Sequence, residues 1–463
     1  MSLIDRLRDR LRARPPLRAL GASGQLGYGI PEPALLAGLA REPHFIGCDM
    51  GSVDPGPAYL GSGKMATSPE TTRRDLTMVL KGARAADVPL LIGTVGTAGA
   101  APHLAATADL VREIAREHGL HFRLATIAAD IPKDLVRDAL RRGRVRSLGA
   151  MPALTEAAID GTRHLVGQMG TEAFRRALEA GADVVLAGRA CDTAIFSTIP
   201  IMMGYPVGPS IHMAKIIECA SICCDPGGRD AILGVLEGDS FVLESMNPAR
   251  AATPLSVAAH ALYEQEDPDK IEEPDGTLDL RGVRYAPIDA RRVRVSGADF
   301  HHRAAPTVKI EGAGAVGERA VLLCATTDPR VIANLDAILA AVDATAASML
   351  TRDGVRDYTL GTRRYGLGGV SIFPGAAAPT GTEVFLLTEC IAPTAERARS
   401  VLGTFKQYLL HHGFPGRLST GGNIAFPLTP PEISAGPAYR FTAYHVMDVD
   451  ALAPLFPVAI EDI

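Results

Sequence analysis

The sequence predicts an α/β fold. An N-terminal doubly wound domain with a mainly parallel sheet is expected over residues 1-225, followed by an α+β domain over residues 226-463. Three observations lead there. Short apolar runs alternate with helical patterns as far as Asp225, the pattern of successive βαβ units. Beyond Asp225-Pro-Gly-Gly228 the apolar runs cluster as consecutive strands. Three of the early runs also end in glycine-rich polar loops, where open α/β sheets bind their ligands.

The elements follow in order. Leu17 to Gly24 reads as a first strand running into a glycine turn, and Pro31 to Arg41 as a helix with proline in its first turn. Phe45 opens a buried strand that runs into the long polar loop Asp49-Met-Gly-Ser-Val-Asp-Pro-Gly-Pro, continuing to Lys64. Ser68-Pro-Glu70 gives a cap residue, a first-turn proline and an acid, so a helix is expected to about Ala86. Pro89 to Thr94 is a short strand. Gly93-Thr-Val-Gly-Thr-Ala-Gly99 joins it to a helix over 103–118. His121 to Ile127 is the next strand, with Asp130 as a cap for the helix from Lys133, and 145–150 reads as a further strand. Ala182 to Gly188 is a buried strand that ends in Arg189-Ala-Cys-Asp-Thr193. The helices expected next, at 192–204 and 210–221, place His212, Lys215 and Glu218 broadly on one face. Past Asp225 the reading is mostly strands to about Thr327, with the charged run Glu264 to Asp275 as a solvated excursion. Helices are then expected to about Leu350 and over 395–413.

Composition narrows the function classes. Hydrophobic residues make up 47% and charged residues 21%, as in a soluble globular protein, and the net charge of −5 gives no electrostatic footprint for nucleic acid or a membrane surface. No apolar run is long enough to span a bilayer. The seven scattered cysteines lack a disulfide or zinc spacing, which points to reduced thiols and a cytoplasmic location. The apolar stretch from Leu452 to Ile460 near the end suggests a homo-oligomer.

The chemistry-bearing residues sit in the strand-end loops. Asp49, Asp54, Lys64 and Asp192 are the candidate acids and bases. Ser52, Gly93, Thr94, Gly96, Thr97 and Arg189 are candidate substrate contacts, with Asn423 in the later glycine-rich stretch. Arginine suits a carboxylate because its planar fork donates two parallel hydrogen bonds. Backbone amides at a strand–loop–helix junction suit an anion. Ordinary roles compete with each of these: glycines for close packing, Asp192 as a helix cap, Cys191 as a packed thiol. No dinucleotide, P-loop, zincin or nucleophile-elbow motif is present. No cofactor is predicted outright; a divalent ion held by Asp49 and Asp54 stays open, since hard cations take oxygen ligands.

Asp49 to Gly63, Gly93 to Gly99, Gly188-Arg-Ala-Cys-Asp192, Gly421-Gly-Asn-Ile-Ala-Phe-Pro427 and Tyr444-His-Val-Met-Asp-Val-Asp450 together resemble the acyclic terpene utilisation protein A (AtuA) family. The resemblance covers nearly the whole chain. It implies catabolism, with lyase activities attributed to some members and a small companion protein often nearby. It carries across no catalytic residues. Residues and resemblance together lead to the expectation of a lyase or hydratase acting on a small carboxylate or acyl-CoA. Its base is expected to be Asp49 or Asp54, its acid Lys64 or Asp192, and its anion clamp Arg189 with the Gly93–Gly99 amides. A binding subunit that completes a companion's site and a metal-dependent hydrolase are the rival readings.

Overall fold

The computed structural model describes residues 2–370 and 379–463. It is a mixed α/β protein with large sheets and, among the described residues, 14 α-helices. The chain divides into two compact units. The first runs up to Gly314 and includes Phe441–Ile463; the second is Ala315–Arg440.

The first unit is built on a ten-stranded sheet. Its centre is parallel: Leu17–Ser23, Phe45–Asp49, Leu90–Gly93, Val184–Ala187 and Arg123–Ile127 lie side by side in that order. These short runs are apolar on both faces, as a sheet covered on both sides requires. Successive residues of one strand enter different cores. Phe45, Leu91 and Val185 pack into one cluster, whereas Ile46, Ile92 and Leu186 pack into another. Each such side chain, fully buried, contributes about 1.5–3 kcal/mol.

Beyond residue 230 the strands are added antiparallel. Ile232–Glu237 pairs with Leu17–Ser23 and turns through Gly238, at φ +58°, into Ser240–Ser245. The change of pattern at Asp225 thus coincides with a change from parallel to antiparallel pairing inside one sheet. At the opposite edge Val458–Asp462 pairs antiparallel with Arg123–Ile127, and Leu455 and Phe456 are buried beside it. The apolar tail that suggested an oligomer is therefore used within its own chain.

Smaller antiparallel pairings complete this unit. Lys270–Glu273, Gly276–Asp279 and Asp299–His302 form a three-stranded antiparallel sheet. His164–Gly167, a strand the sequence reading passed over, pairs with residues 310–313 of the long strand Thr307–Thr326. Val145–Ser147 pairs antiparallel with residues 445–447 and stands outside the ten-stranded sheet.

The second unit is α+β. Thr359–Tyr365 and residues 318–326 flank Val384–Ala392 in antiparallel register. Leu335–Arg352 and Ala395–His411 bury Ile338, Val342, Val401 and Phe405 in its core. Among the described residues of the chain, no helix is long and apolar enough to cross a membrane.

Asp75 fixes the loop that follows Leu17–Ser23. Its fully buried carboxylate accepts from the amides of Gly27 at 2.9 Å, Gly29 at 2.8 Å and Ile30 at 3.4 Å. Asp75→Ala leaves these donors without an acceptor, at about 1–3 kcal/mol for each one kept from water. Urea unfolding is expected to show a loss of about 3 kcal/mol or more, with Asp75→Asn intermediate because its amide keeps one acceptor oxygen. An unchanged midpoint for Asp75→Ala would remove this role.

Candidate functional site

Parallel strands put their carboxyl ends on one edge of a sheet, and the three polar loops meet there. Thr94 follows the Leu90–Gly93 strand, and its hydroxyl joins the second loop to the third. Its Oγ1 accepts from Ala190 N at 3.0 Å and from Arg189 Nη1 at 3.2 Å, and it donates to the Ala190 carbonyl at 3.1 Å. Gly51, in the first loop, packs so closely on Thr97 that an added Cβ would lie 2.5 Å from the Thr97 carbonyl oxygen.

Beyond this edge lies an open cavity of about 660 Å³, lined entirely by residues of the first unit. Asp54, Arg189 and Asp192, all sequence candidates, line it. Ser52 supports Asp54: the Ser52 hydroxyl donates to the Asp54 carboxylate and accepts from its amide at 3.1 Å.

Other candidates fall outside the lining. Asp49 is buried behind it, accepting from Gly51 N at 3.0 Å. Burial, with Asp192 and Glu218 nearby, pushes its carboxyl well above the usual range. Lys64 is exposed and meets the rest of the site only through its carbonyl, which faces His103 Nε2 at 3.2 Å. Residues 93–99 are wholly buried. Gly96 N contacts Met50 Sδ at 3.4 Å, Gly99 N donates to the Val95 carbonyl at 3.1 Å, and Thr97 Oγ1 accepts from Ala66 N at 2.9 Å. The glycines serve packing. Gly99 has φ +68°, and a Cβ there would lie 2.2 Å from Arg189 N. Asn423 belongs to the second unit, where it caps the Ala395–His411 helix. Its Nδ2 donates to the carbonyls of Leu409 at 3.0 Å and His412 at 2.9 Å.

Arg189 is committed inside the protein. Its Nε and Nη2 donate to Glu311 at 2.7 and 3.3 Å, and Nη1 donates to the Ala190 carbonyl at 2.8 Å as well as to Thr94. Burial opposes its charge, but Glu311 outweighs burial and raises its pKa. The fork expected to grip a substrate grips Glu311 instead. Lys309 Nζ lies 2.9 Å from the same carboxylate and donates to Tyr444 Oη at 2.8 Å. Burial alone would raise the pKa of Glu311; Arg189 and Lys309 hold it down at about 2.

The lining is also acidic, and these acids come largely from elements the sequence did not mark as functional. Lys215, near the end of the Val207–Ile217 helix, pairs with Glu218 just beyond it. Among the described residues, Glu218 Oε2 is buried with no hydrogen-bond partner, as is Asp192 Oδ1 at the start of the Asp192–Met202 helix. Burial pushes Glu218 up to about 8 although Lys215 pulls it down. Burial disfavours the Lys215 ammonium too, but the charge of Glu218 more than compensates and raises it. Asp192 is raised by burial against the pull of Arg189. The third helix position singled out with them, His212, faces away into an aromatic cluster. Its ring centroid is 5.4 Å from Phe241 and 6.2 Å from Tyr285, and burial lowers it to about 3.

Glu273 completes the acidic wall. It accepts from Thr193 Oγ1 at 2.5 Å and from Cys191 Sγ at 3.3 Å, and burial pushes it up to about 7. It lies in the charged run expected to be a solvated excursion. Most of the run is exposed as expected, but strand alternation makes two exceptions: Ile271 and Glu273 turn inward while Lys270 and Glu272 stay exposed. The available signal was Pro274-Asp-Gly276, a hairpin turn after a short alternating run. Cys191 behaves as a packed thiol, raised by burial and by the Glu273 charge. Among the described residues, no three His, Cys, Asp or Glu side chains gather as a metal site.

A family model described as "Acyclic terpene utilisation family protein AtuA" matches residues 70–228 and 235–425. No curated protein and no solved structure gives a match. The matched stretches contain Arg189, Asp192, Lys215, Glu218, Glu273, Lys309 and Glu311; Asp54 and Tyr444 lie outside them.

Glu311 makes a stability prediction. Its pKa is depressed on folding, so its contribution is present above its ordinary 4.5 and is lost as pH falls through about 2. Glu311→Gln leaves two buried cations facing a neutral amide, and breaking such a network costs about 3–5 kcal/mol. Urea midpoints across a pH series are expected to show that deficit at neutral pH, narrowing steadily in acid. A deficit independent of pH would mean that Glu311 is not held ionised.

Proposed function

The chain belongs to the acyclic terpene utilisation AtuA family, and from that premise we propose that it is a cytoplasmic lyase or hydratase. Its substrate is a small acyclic carboxylate or acyl thioester, and its chemistry is acid–base. One observation carries the reading: Glu218 and Glu273 line a single cavity and are pushed to about 8 and about 7, with Asp192 also raised between them and Arg189. Carboxyl groups raised close to neutrality can supply an acid and a base at the same pH. All seven cysteines are free, which supports the cytoplasmic assignment.

In the hydration direction Glu273 takes a proton from water while the water oxygen bonds to the β-carbon of an enoyl substrate. Glu218 gives its proton to the α-carbon, and the carbon–carbon double bond becomes single. The product has gained one hydrogen and one hydroxyl; the two carboxyls exchange their protons with solvent before the next turnover. Lys215 steadies the carboxylate that Glu218 becomes. Elimination runs through the same steps in reverse.

A panel of acyclic enoyl acids and their coenzyme A thioesters, starting with dimethylacrylate, tests this. Hydroxylated product and solvent deuterium at the α-carbon are the readouts. Glu218→Gln and Glu273→Gln are each expected to lower kcat by about 100-fold or more while KM moves little. Activity should rise as Glu273 loses its proton near pH 7 and fall as Glu218 loses its own near pH 8. Turnover preserved in both variants, or no exchange or addition across the panel, would sink the proposal.

A further inference from the structure

Two of the cations lining the cavity each have a carboxylate of their own. Arg146 pairs with Asp448 at 2.7 Å and Arg303 with Glu272 at 2.6 Å. The network of Arg189, Lys309 and Glu311 is different, because two cations share one carboxylate. The next carboxyl, Asp192, makes only a long ion pair with Arg189 Nη1, at 4.0 Å, and among the described residues its Oδ1 has no hydrogen-bond partner. Asp54 lies further out on the exposed side of the cavity. A buried surplus cation is costly unless an anion meets it.

The surplus is exposed to the cavity through Lys309 and Tyr444, both of which line it. An ammonium has three donors. Lys309 directs one at Glu311 and one at Tyr444 Oη, which leaves one more. Because Tyr444 Oη accepts from Lys309, its own proton is available to another acceptor. The ammonium also lies 4.3 Å from the centre of the Tyr444 ring, which holds both groups in place.

We infer that Lys309 and Tyr444 form the subsite that binds the carboxylate of an acyclic monoanionic substrate, through one N–H and one O–H donor backed by the surplus positive charge. This rests on the proposed function of the same cavity and narrows it to a free acid, and it moves the anion clamp from Arg189 to Lys309.

Isovalerate is the test ligand, because a saturated acid binds without being hydrated; isovaleramide is its neutral counterpart. Calorimetry is expected to show isovalerate binding at millimolar concentration or below, with the amide at least about tenfold weaker, as for hydrogen bonds to a charged group. Tyr444→Phe keeps the ring and loses the donor, and is expected to weaken isovalerate binding by about tenfold. Lys309→Met leaves Arg189 and Glu311 balanced, so the fold should survive, and it should remove the preference for acid over amide. Circular dichroism and urea midpoints check that both variants are folded. Absent binding to the wild type, equal binding of acid and amide, or wild-type affinity in both variants would each overturn the subsite. If isovalerate binding depends on Lys309 and Tyr444 but no enoyl compound is turned over, the subsite stands and the hydratase reading falls. If enoyl acids are hydrated while both variants bind isovalerate normally, the subsite falls alone.

Discussion

One buried carboxylate, shared by two cations, holds the cavity's floor to its wall. Glu311 is fully buried on a strand that pairs with His164–Gly167, and it meets Arg189 from the loop beyond Val184–Ala187. Arg189 in turn grips Thr94 from the loop beyond Leu90–Gly93. Lys309 is two residues before Glu311, so it shares the same strand face. Desolvation makes such a network a poor source of net stability. What it supplies is position: the separate backbone segments can satisfy these charges in few arrangements other than the one seen.

The acidic wall depends on burial in a different way. Glu218 follows a helix, Asp192 begins one, and Glu273 sits on a hairpin strand. None is matched by charge as fully as Glu311 is. Desolvation therefore dominates and raises all three, Glu218 and Glu273 to near neutrality, whereas the value of Glu311 falls. Chemically identical groups in one region are separated into proton carriers and a permanent anion by the number of cations each one faces.

The strand-end rule made part of this legible. It led from short apolar runs to Asp54, Arg189 and Asp192, which line the cavity. It gave the parallel centre of the sheet because those runs are apolar on both faces. It did not separate glycines that admit a ligand from glycines that admit a neighbouring loop: Gly99 needs its missing Cβ for Arg189, a residue remote in sequence. Lys215 and Glu218 were visible as neighbours on a helix, but their burial, and hence their chemistry, depends on what packs over that helix. Glu273 was hidden by composition, since a charged run reads as solvent-facing unless its alternation is followed into a strand. Lys309, Glu311 and Tyr444 carried no local signal. Their relation to Arg189 exists only after strands far apart in sequence have paired.

The two walls also depend on each other. A carboxylate substrate entering a cavity lined by ionised acids would be repelled, and a single surplus cation would be a weak counterweight. Burial keeps Glu218 and, in part, Glu273 protonated near neutral pH, so the acidic wall carries less negative charge than its composition suggests. The same desolvation that readies a proton donor thus lowers the barrier to an anion. Matching every cation with its own carboxylate would have removed the attraction; ionising every acid would have reversed it. The arrangement avoids both, with largely neutral acids in one part of the lining and the Lys309 ammonium, with a donor to spare, in another; on the proposed reading, that asymmetry would orient an acyclic acid before any bond is made.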